Sequence, residues 1–181
     1  LPVHIDFIDF EHLEHNIFRV VNQYSVQGKR LRRPDLLLFI NGIPVSIWEF
    51  KTAIEEDTTI HDAWEQIAIR YQRDIPNLLK YCFLSVICDG ANTRLGSIFT
   101  PYRFYYAWNK ANDTDTVAHG ISSLMTMIEG AFAKDRILQI LRDFVFYPDD
   151  SAKDEVIVCR YPQFFAAEKM LEIARLNKIP V

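Results

Sequence analysis

Residues 36–40 and 43–51 are two runs of β-forming side chains separated only by Asn41-Gly42. Asn-Gly between such runs is the strongest short-range signal for a hairpin. Residues 81–88 are almost all apolar and end at Asp89-Gly90, as expected of a buried strand reached through a helical crossover. The crossover helix is predicted to be capped by Thr58 or Thr59, to carry Ile60, Trp64, Ile67 and Tyr71 on its apolar side, and to be limited by Pro76. An antiparallel hairpin and a parallel crossover in one chain imply an α/β fold on a mixed sheet. Further strands are expected over 18–26, where Phe18, Val20, Tyr24 and Val26 share a parity, and over the aromatic stretch 103–108. Helices are expected over 121–132, 134–144 and 164–176.

The 181 residues suffice for one domain, or one domain plus a fragment of a second. With 49% hydrophobic residues, 24% charged residues and 6 glycines, disordered, collagen-like and low-complexity classes are excluded. No run of eighteen apolar residues occurs, and residues 1–10 already contain Asp6 and Asp9, so neither a membrane span nor a signal peptide is expected. Cys82, Cys88 and Cys159 are too few for a disulfide framework, Cys82 and Cys88 share a parity on the apolar run and read as packed thiols, and with no export signal a reducing cytoplasm is expected. The net charge of −4 lacks the basic surplus of a self-sufficient nucleic-acid binder. Contact with DNA would then run through a local patch or through a larger assembly. The chain starts at Leu1 and stops at Val181 without a tail composition, so it is expected to be a piece of something larger.

Three charges interrupt the strand pattern. Asp35 opens the first hairpin strand, and Glu49 and Lys51 lie near the end of the second, in line with Ile43, Val45 and Ile47 by period-two alternation. Charges in a buried aliphatic row carry a desolvation cost that an ion pair, a metal or a function must offset. Residues facing one another across a hairpin have position numbers with a constant sum. A plain two-residue turn pairs Ile40 with Ile43, an odd sum that throws Asp35 to the face opposite Glu49. A three-residue loop, or a type I turn with Gly42 in a left-handed bulge, restores an even sum and brings the carboxylates together. Such a pair with a lysine alongside can bind Mg²⁺ through hard oxygens and stabilise charge developing during hydrolysis. Ion pairs of Asp35 and Glu49 with Lys51, Arg32 or Arg33 are the alternative that involves no function.

Arg33-Pro34-Asp35, a thirteen-residue spacer and Glu49-Phe50-Lys51 together resemble the signature of the PD-(D/E)XK nuclease superfamily. Around it, Val20-Val21-Asn22-Gln23-Tyr24 and the run from Arg33 through Pro44 are similar to the nuclease domain of the motor (R) subunit of type I restriction enzymes. Asp74-Ile75-Pro76-Asn77-Leu78-Leu79, Asp89-Gly90 and Arg94-Leu95-Gly96-Ser97 follow in the family's order, and the likeness resumes at Arg142-Asp143-Phe144. Tyr161-Pro162-Gln163-Phe164-Phe165-Ala166 resembles the glutamine motif that opens the family's helicase region, although no G-x-x-x-x-G-K-[ST] follows in this chain.

The resemblance implies a restriction-endonuclease-like mixed β-sheet flanked by helices over residues 1–145, with a linker and the start of a helicase domain over 146–181. It implies Mg²⁺-dependent cleavage of double-stranded DNA after ATP-driven translocation by the rest of the subunit, in partnership with methylation and specificity subunits and with no membrane. Asp35 and Glu49 would hold the metal, the Phe50 carbonyl would assist, and Lys51 would position the water or the scissile phosphate. Gln163 would read adenine, with ATP a cofactor only of the full-length subunit. A stand-alone repair nuclease and a catalytically silent coupling or DNA-binding module are the rival readings.

The family also carries a Gln and a Tyr four residues apart on the helix after the core. Here Gln66 and Tyr71 are five apart, about 140° around a regular helix. Either only one of them faces the carboxylates, with Arg70 joining Gln66, or a π turn absorbs the extra residue and brings both together. We expect the π turn. Lys29, Arg30, Arg32 and Arg33 are candidate phosphate contacts or simply a solvated turn. Glu11 or Glu14 is a candidate for a further acidic residue. His4, His12, His15, His61 and His119 show no convincing metal-ligand spacing. Tyr102, Phe104, Tyr105, Tyr106 and Trp108 are read as core or interface packing rather than base-stacking.

Overall fold

The computed structural model describes residues 6–52, 59–148 and 155–177, so His4 and Thr58 lie outside the described residues. Five strands form one mixed sheet in the order β1 (Phe18–Asn22), β4 (Leu36–Ile40), β5 (Ile43–Phe50), β6 (Leu84–Cys88) and β7 (Thr93–Gly96). Neighbours run antiparallel except for β5 and β6, which are parallel. The crossover between those two is helical, as the sequence requires. It comprises α1 (Ile60–Glu65), a π-helical turn (Gln66–Tyr71), α2 (Gln72–Asp74) and α3 (Pro76–Leu79). Thr59 and Asp62 form a capping box at its start, and Pro76 opens the next short helix rather than continuing the first.

Helices α4 (Ser122–Ala131), α5 (Lys134–Asp143) and α6 (Tyr161–Leu176) follow, close to the predicted ranges. Two ribbons accompany them, β2 (Val26–Gln27) with β3 (Leu31–Arg32) and β8 (Val145–Phe146) with β9 (Ile157–Val158). The sheet has a core on each face. Leu38, Ile40, Val45, Trp48, Leu84 and Val86 pack against α4, α5 and Phe164 of α6, whereas Leu37, Ile47 and Ile87 pack under the crossover helix. Each fully buried aliphatic side chain contributes about 1.5–3 kcal/mol relative to exposure. Phe164 lies 5.8 Å from Trp108 and 5.2 Å from Phe144, so α6 packs on the same core as the sheet.

Three local expectations need correction. The hairpin turn is the plain two-residue one, with Asn41 at φ 51° and Gly42 at φ 86° and Ile40 opposite Ile43. Parity is restored further along, where Leu38 faces Ser46 but Phe39 faces Pro44, leaving Val45 as the extra residue of a β-bulge. Pro44 has no N–H to give the ladder, which makes this a natural place for it to break. In consequence Ile43 and Val45 face the α4–α5 side with Trp48, and only Ile47 continues the row of Glu49.

The first strand stops at Asn22, because Gln23 turns to φ 50°. The stretch 103–108 is not a strand. A 3₁₀ turn at Tyr102–Phe104 is followed by a single bridge between Tyr106 and Leu95, and β7 forms the edge of the sheet. Its aromatics are spent on packing instead, with Tyr105 buried in one core and Trp108 in the other.

Candidate active site

Pairing of Leu36 with Trp48 and of Leu37 with Ile47 sets the register that carries Asp35 and Glu49 to the same face. The bulge therefore delivers what the turn does not. Glu49 is 1% exposed, and its Oε1 lies 3.3 Å from the amide of Asp35. Asp35 is itself held on both oxygens. The Phe50 amide donates to Oδ2 at 2.9 Å, and Gln23 Nε2 donates to Oδ1 at 2.8 Å.

The π turn brings Gln66 and Tyr71 together, as expected. Gln72 N–H donates to the Ile67 carbonyl, an i→i+5 bond. Tyr71 Oη donates to Glu49 Oε1 at 2.6 Å, while Gln66 Nε2 lies 2.7 Å from both Glu49 Oε2 and Tyr71 Oη. Lys51 Nζ donates to Gln66 Oε1 at 2.7 Å. Asp35, Glu49, Lys51, Gln66 and Tyr71 thus form one connected network, whereas Arg70 is exposed and takes no part.

Burial pushes the Glu49 carboxyl up to about 8, with the Asp35 charge adding to the effect and the Tyr71 hydrogen bond opposing it. Burial and the neighbouring Glu49 hold the Tyr71 phenol well above its ordinary range, so it is a proton-bearing donor at neutral pH. Among the described residues neither carboxylate belongs to an ion pair, and Arg32 is paired with Asp74 instead. Two adjacent carboxylates without a paired cation, offering only oxygen atoms and retaining acceptor positions, suit a hard divalent cation such as Mg²⁺. Asp35 and Glu49 are the residues that would hold it.

The basic run is anchored rather than loose. Arg32 Nε donates to Asp74 Oδ2 at 2.7 Å and Lys29 N–H to the Asp74 carbonyl at 2.8 Å. A Cβ on Gly28 would lie 2.1 Å from that carbonyl oxygen, so the contact requires glycine. Arg32 is half-buried and committed to Asp74, leaving Lys29, Arg30 and Arg33 exposed.

Glu11 and Glu14 do not reach the site. Their segment is clasped to the hairpin turn, where Asn41 Nδ2 donates to Asn16 Oδ1 and to the Phe7 carbonyl. That turn is six residues along the strand from Asp35, roughly 20 Å. In the same loop Asp9, His12 and His15 have ligand atoms within 4.8 Å of one another, a convergence the spacing of the histidines did not suggest. The Asp9 oxygens accept the Glu11 and His12 amides and pair with His15 Nδ1, the bonds of a closed turn. Gln163 Oε1 accepts the Arg160 amide at 2.8 Å and caps α6.

Sequence reasoning did not single out Gln23 as a site residue. Extending the pairing of Asn22 with Leu36 by one step sets Gln23 against Asp35, so the signal lay in the β1–β4 register. A left-handed backbone costs a residue with a Cβ roughly 1–2 kcal/mol.

The family model described as type I restriction enzyme R protein N terminus (HSDR_N) matches residues 2–104. The chain belongs to this family. It is 31% identical over 188 residues to the inferred type I restriction enzyme MjaIXP endonuclease subunit of Methanocaldococcus jannaschii, covering 93% of this chain and 17% of that protein. It is 25% identical over 173 residues to the type I restriction enzyme HindI endonuclease subunit of Haemophilus influenzae, covering 93% of this chain and 16% of that protein. A Staphylococcus saprophyticus relative, the type I restriction enzyme SsaAORF53P endonuclease subunit, is 28% identical over 120 residues, or 64% of this chain and 13% of the relative. The chain therefore spans less than one fifth of the length of these relatives. The described residues contain no helix long and apolar enough to cross a membrane.

Proposed function

We propose that this R-subunit segment hydrolyses phosphodiester bonds of double-stranded DNA with Mg²⁺ held by Asp35 and Glu49. The observation that carries the reading is the convergence of two carboxylates, an ammonium, an amide and a phenol on one face of the sheet, from three separate stretches of chain. A bound Mg²⁺ supplies Lewis-acid polarisation of a phosphoryl oxygen and an acidified water. The protein's own part is positional and electrostatic. Gln66 holds the Lys51 ammonium where negative charge develops on the phosphate, and Tyr71 and Gln66 together fix the Glu49 carboxylate. Lys29, Arg30 and Arg33 lie on the ribbon leading into Asp35 and would meet the DNA backbone.

In the intact subunit, cutting would follow ATP-driven translocation by the helicase region, with Gln163 reading adenine and with methylation and specificity subunits as partners in the cytoplasm. The complete donor set favours this over a catalytically silent module. The test is plasmid cleavage and ATP turnover measured on the same preparations of full complex. Asp35→Ala, Glu49→Ala and Lys51→Ala should each abolish cleavage and leave ATP turnover intact. Normal cutting by the Glu49→Ala complex would overturn the assignment.

A further inference from the structure

We propose that Gln23 is a positioning residue for Asp35, aiming its carboxylate at the metal, and that the left-handed backbone of Gln23 is retained for that purpose. The proposal rests on the reading of Asp35 and Glu49 as metal ligands.

Among the described residues, the non-glycine positions with positive φ are Gln23 and Asn41. Asn41 is explained by the hairpin turn, which favours asparagine in that conformation. Gln23 has no such excuse, since glutamine gains nothing from a left-handed backbone. Strain of this kind persists where surrounding structure over-determines it, and it concentrates at functional sites. What surrounds Gln23 is Asp35. The Gln23 amide donates to the Asp35 carbonyl at 2.9 Å, continuing the β1–β4 ladder one residue past the strand. Its side-chain Nε2 donates to Asp35 Oδ1 at 2.8 Å. The Phe50 amide already holds Oδ2 at 2.9 Å. With one donor on each oxygen the carboxylate plane cannot swing, and each oxygen keeps an acceptor position for a cation. Removing Gln23 would leave Asp35 pinned at one oxygen and free to rotate about that bond. Loss of such an outer partner typically lowers metal affinity 10- to 100-fold.

Two substitutions separate the side chain from the backbone. Gln23→Gly removes the amide and relieves the left-handed strain, whereas Gln23→Ala removes the amide and keeps the strain. Both should bind Mn²⁺ about 10- to 100-fold more weakly at this site. The readout is electron paramagnetic resonance titration of the nucleotide-free full-length subunit, taken as the difference from Asp35→Ala. Gln23→Gly should melt no lower than the unaltered subunit, and above Gln23→Ala. A structural role for the turn alone would instead leave Mn²⁺ affinity intact in Gln23→Gly, and that outcome overturns the proposal. Binding lost in Asp35→Ala but unchanged in both Gln23 variants overturns this inference and spares the metal reading. Binding unchanged in Asp35→Ala overturns both.

Discussion

Tyr71 donates its phenolic proton to Glu49 Oε1 across 2.6 Å, from a helix position that a regular α-helix would turn about 140° away from Gln66. The phenol is the donor that opposes burial at Glu49, and the π turn is what lets it stand beside Gln66 on one carboxylate. Tyr71→Phe keeps the ring in its core and deletes the donor. Cleavage by the full complex should fall by about 10- to 100-fold with ATP turnover unchanged. Undiminished plasmid cutting by Tyr71→Phe would remove the phenol from the site.

The extra residue of the π turn is separable from the rest of the helix. Deleting exposed Arg70 converts the five-residue spacing to four, which a regular helix brings to within about 40°. The flanking turns keep their facing, so the variant should fold, cut DNA, and melt within a few degrees of the parent. Deleting buried Ala63 instead rotates one flank by about 100° and should unfold the domain. If the Arg70 deletion proves as damaging as the Ala63 deletion, the turn is not a simple one-residue insertion.

Asp35, Glu49 and Lys51 are legible in the sequence because a charge placed in an apolar period-two row is costly wherever the row packs. The crossover helix is legible because Thr59 and Pro76 mark its start and its limit. The π turn could be anticipated from one residue too many between Gln66 and Tyr71. The bulge at Val45 has only Pro44 as a sequence signal, which marks where the ladder lacks an N–H but not which neighbour becomes the extra residue. The stretch 103–108 misleads because aromatic residues favour strands and cores alike, and here Tyr105 and Trp108 fill two different cores. Gln23 is invisible for a third reason: its partner lies twelve residues on, across a pairing that no local pattern reveals.

Glu49 gives the metal-free protein a defined pH dependence. Its folded-state value is raised to about 8, so the stability this group allows is fully present below its unfolded value near 4.5 and is lost as pH rises through about 8. Glu49→Gln removes the ionisation and keeps the shape. With chelator present, the melting temperatures of the two proteins should be close at pH 5. The variant should become increasingly the more stable toward pH 9, by an amount on the order of a few kcal/mol. A gap that stays flat across this range would mean Glu49 is not the group that titrates.

Asp74 gives the opposite sign. Arg73 and then Arg32 hold its carboxylate well below the usual range, overcoming the burial that would raise it. Stability from a lowered carboxylate is present above its unfolded value and lost as pH falls through the acid range. Asp74→Asn should therefore lower the melting temperature at pH 7, and the difference should close as the pH is taken below about 4. The same carboxylate docks the ribbon that leads into Asp35, through Arg32 and the close approach at Gly28. Gly28→Ala crowds the Asp74 carbonyl and pushes on that ribbon without replacing any charged side chain. It should destabilise the protein equally at pH 7 and well below pH 4, a contrast with Asp74→Asn that separates packing from ionisation. Parallel pH profiles for the two variants would show that the ion pairs around Asp74 contribute nothing beyond holding the ribbon in place.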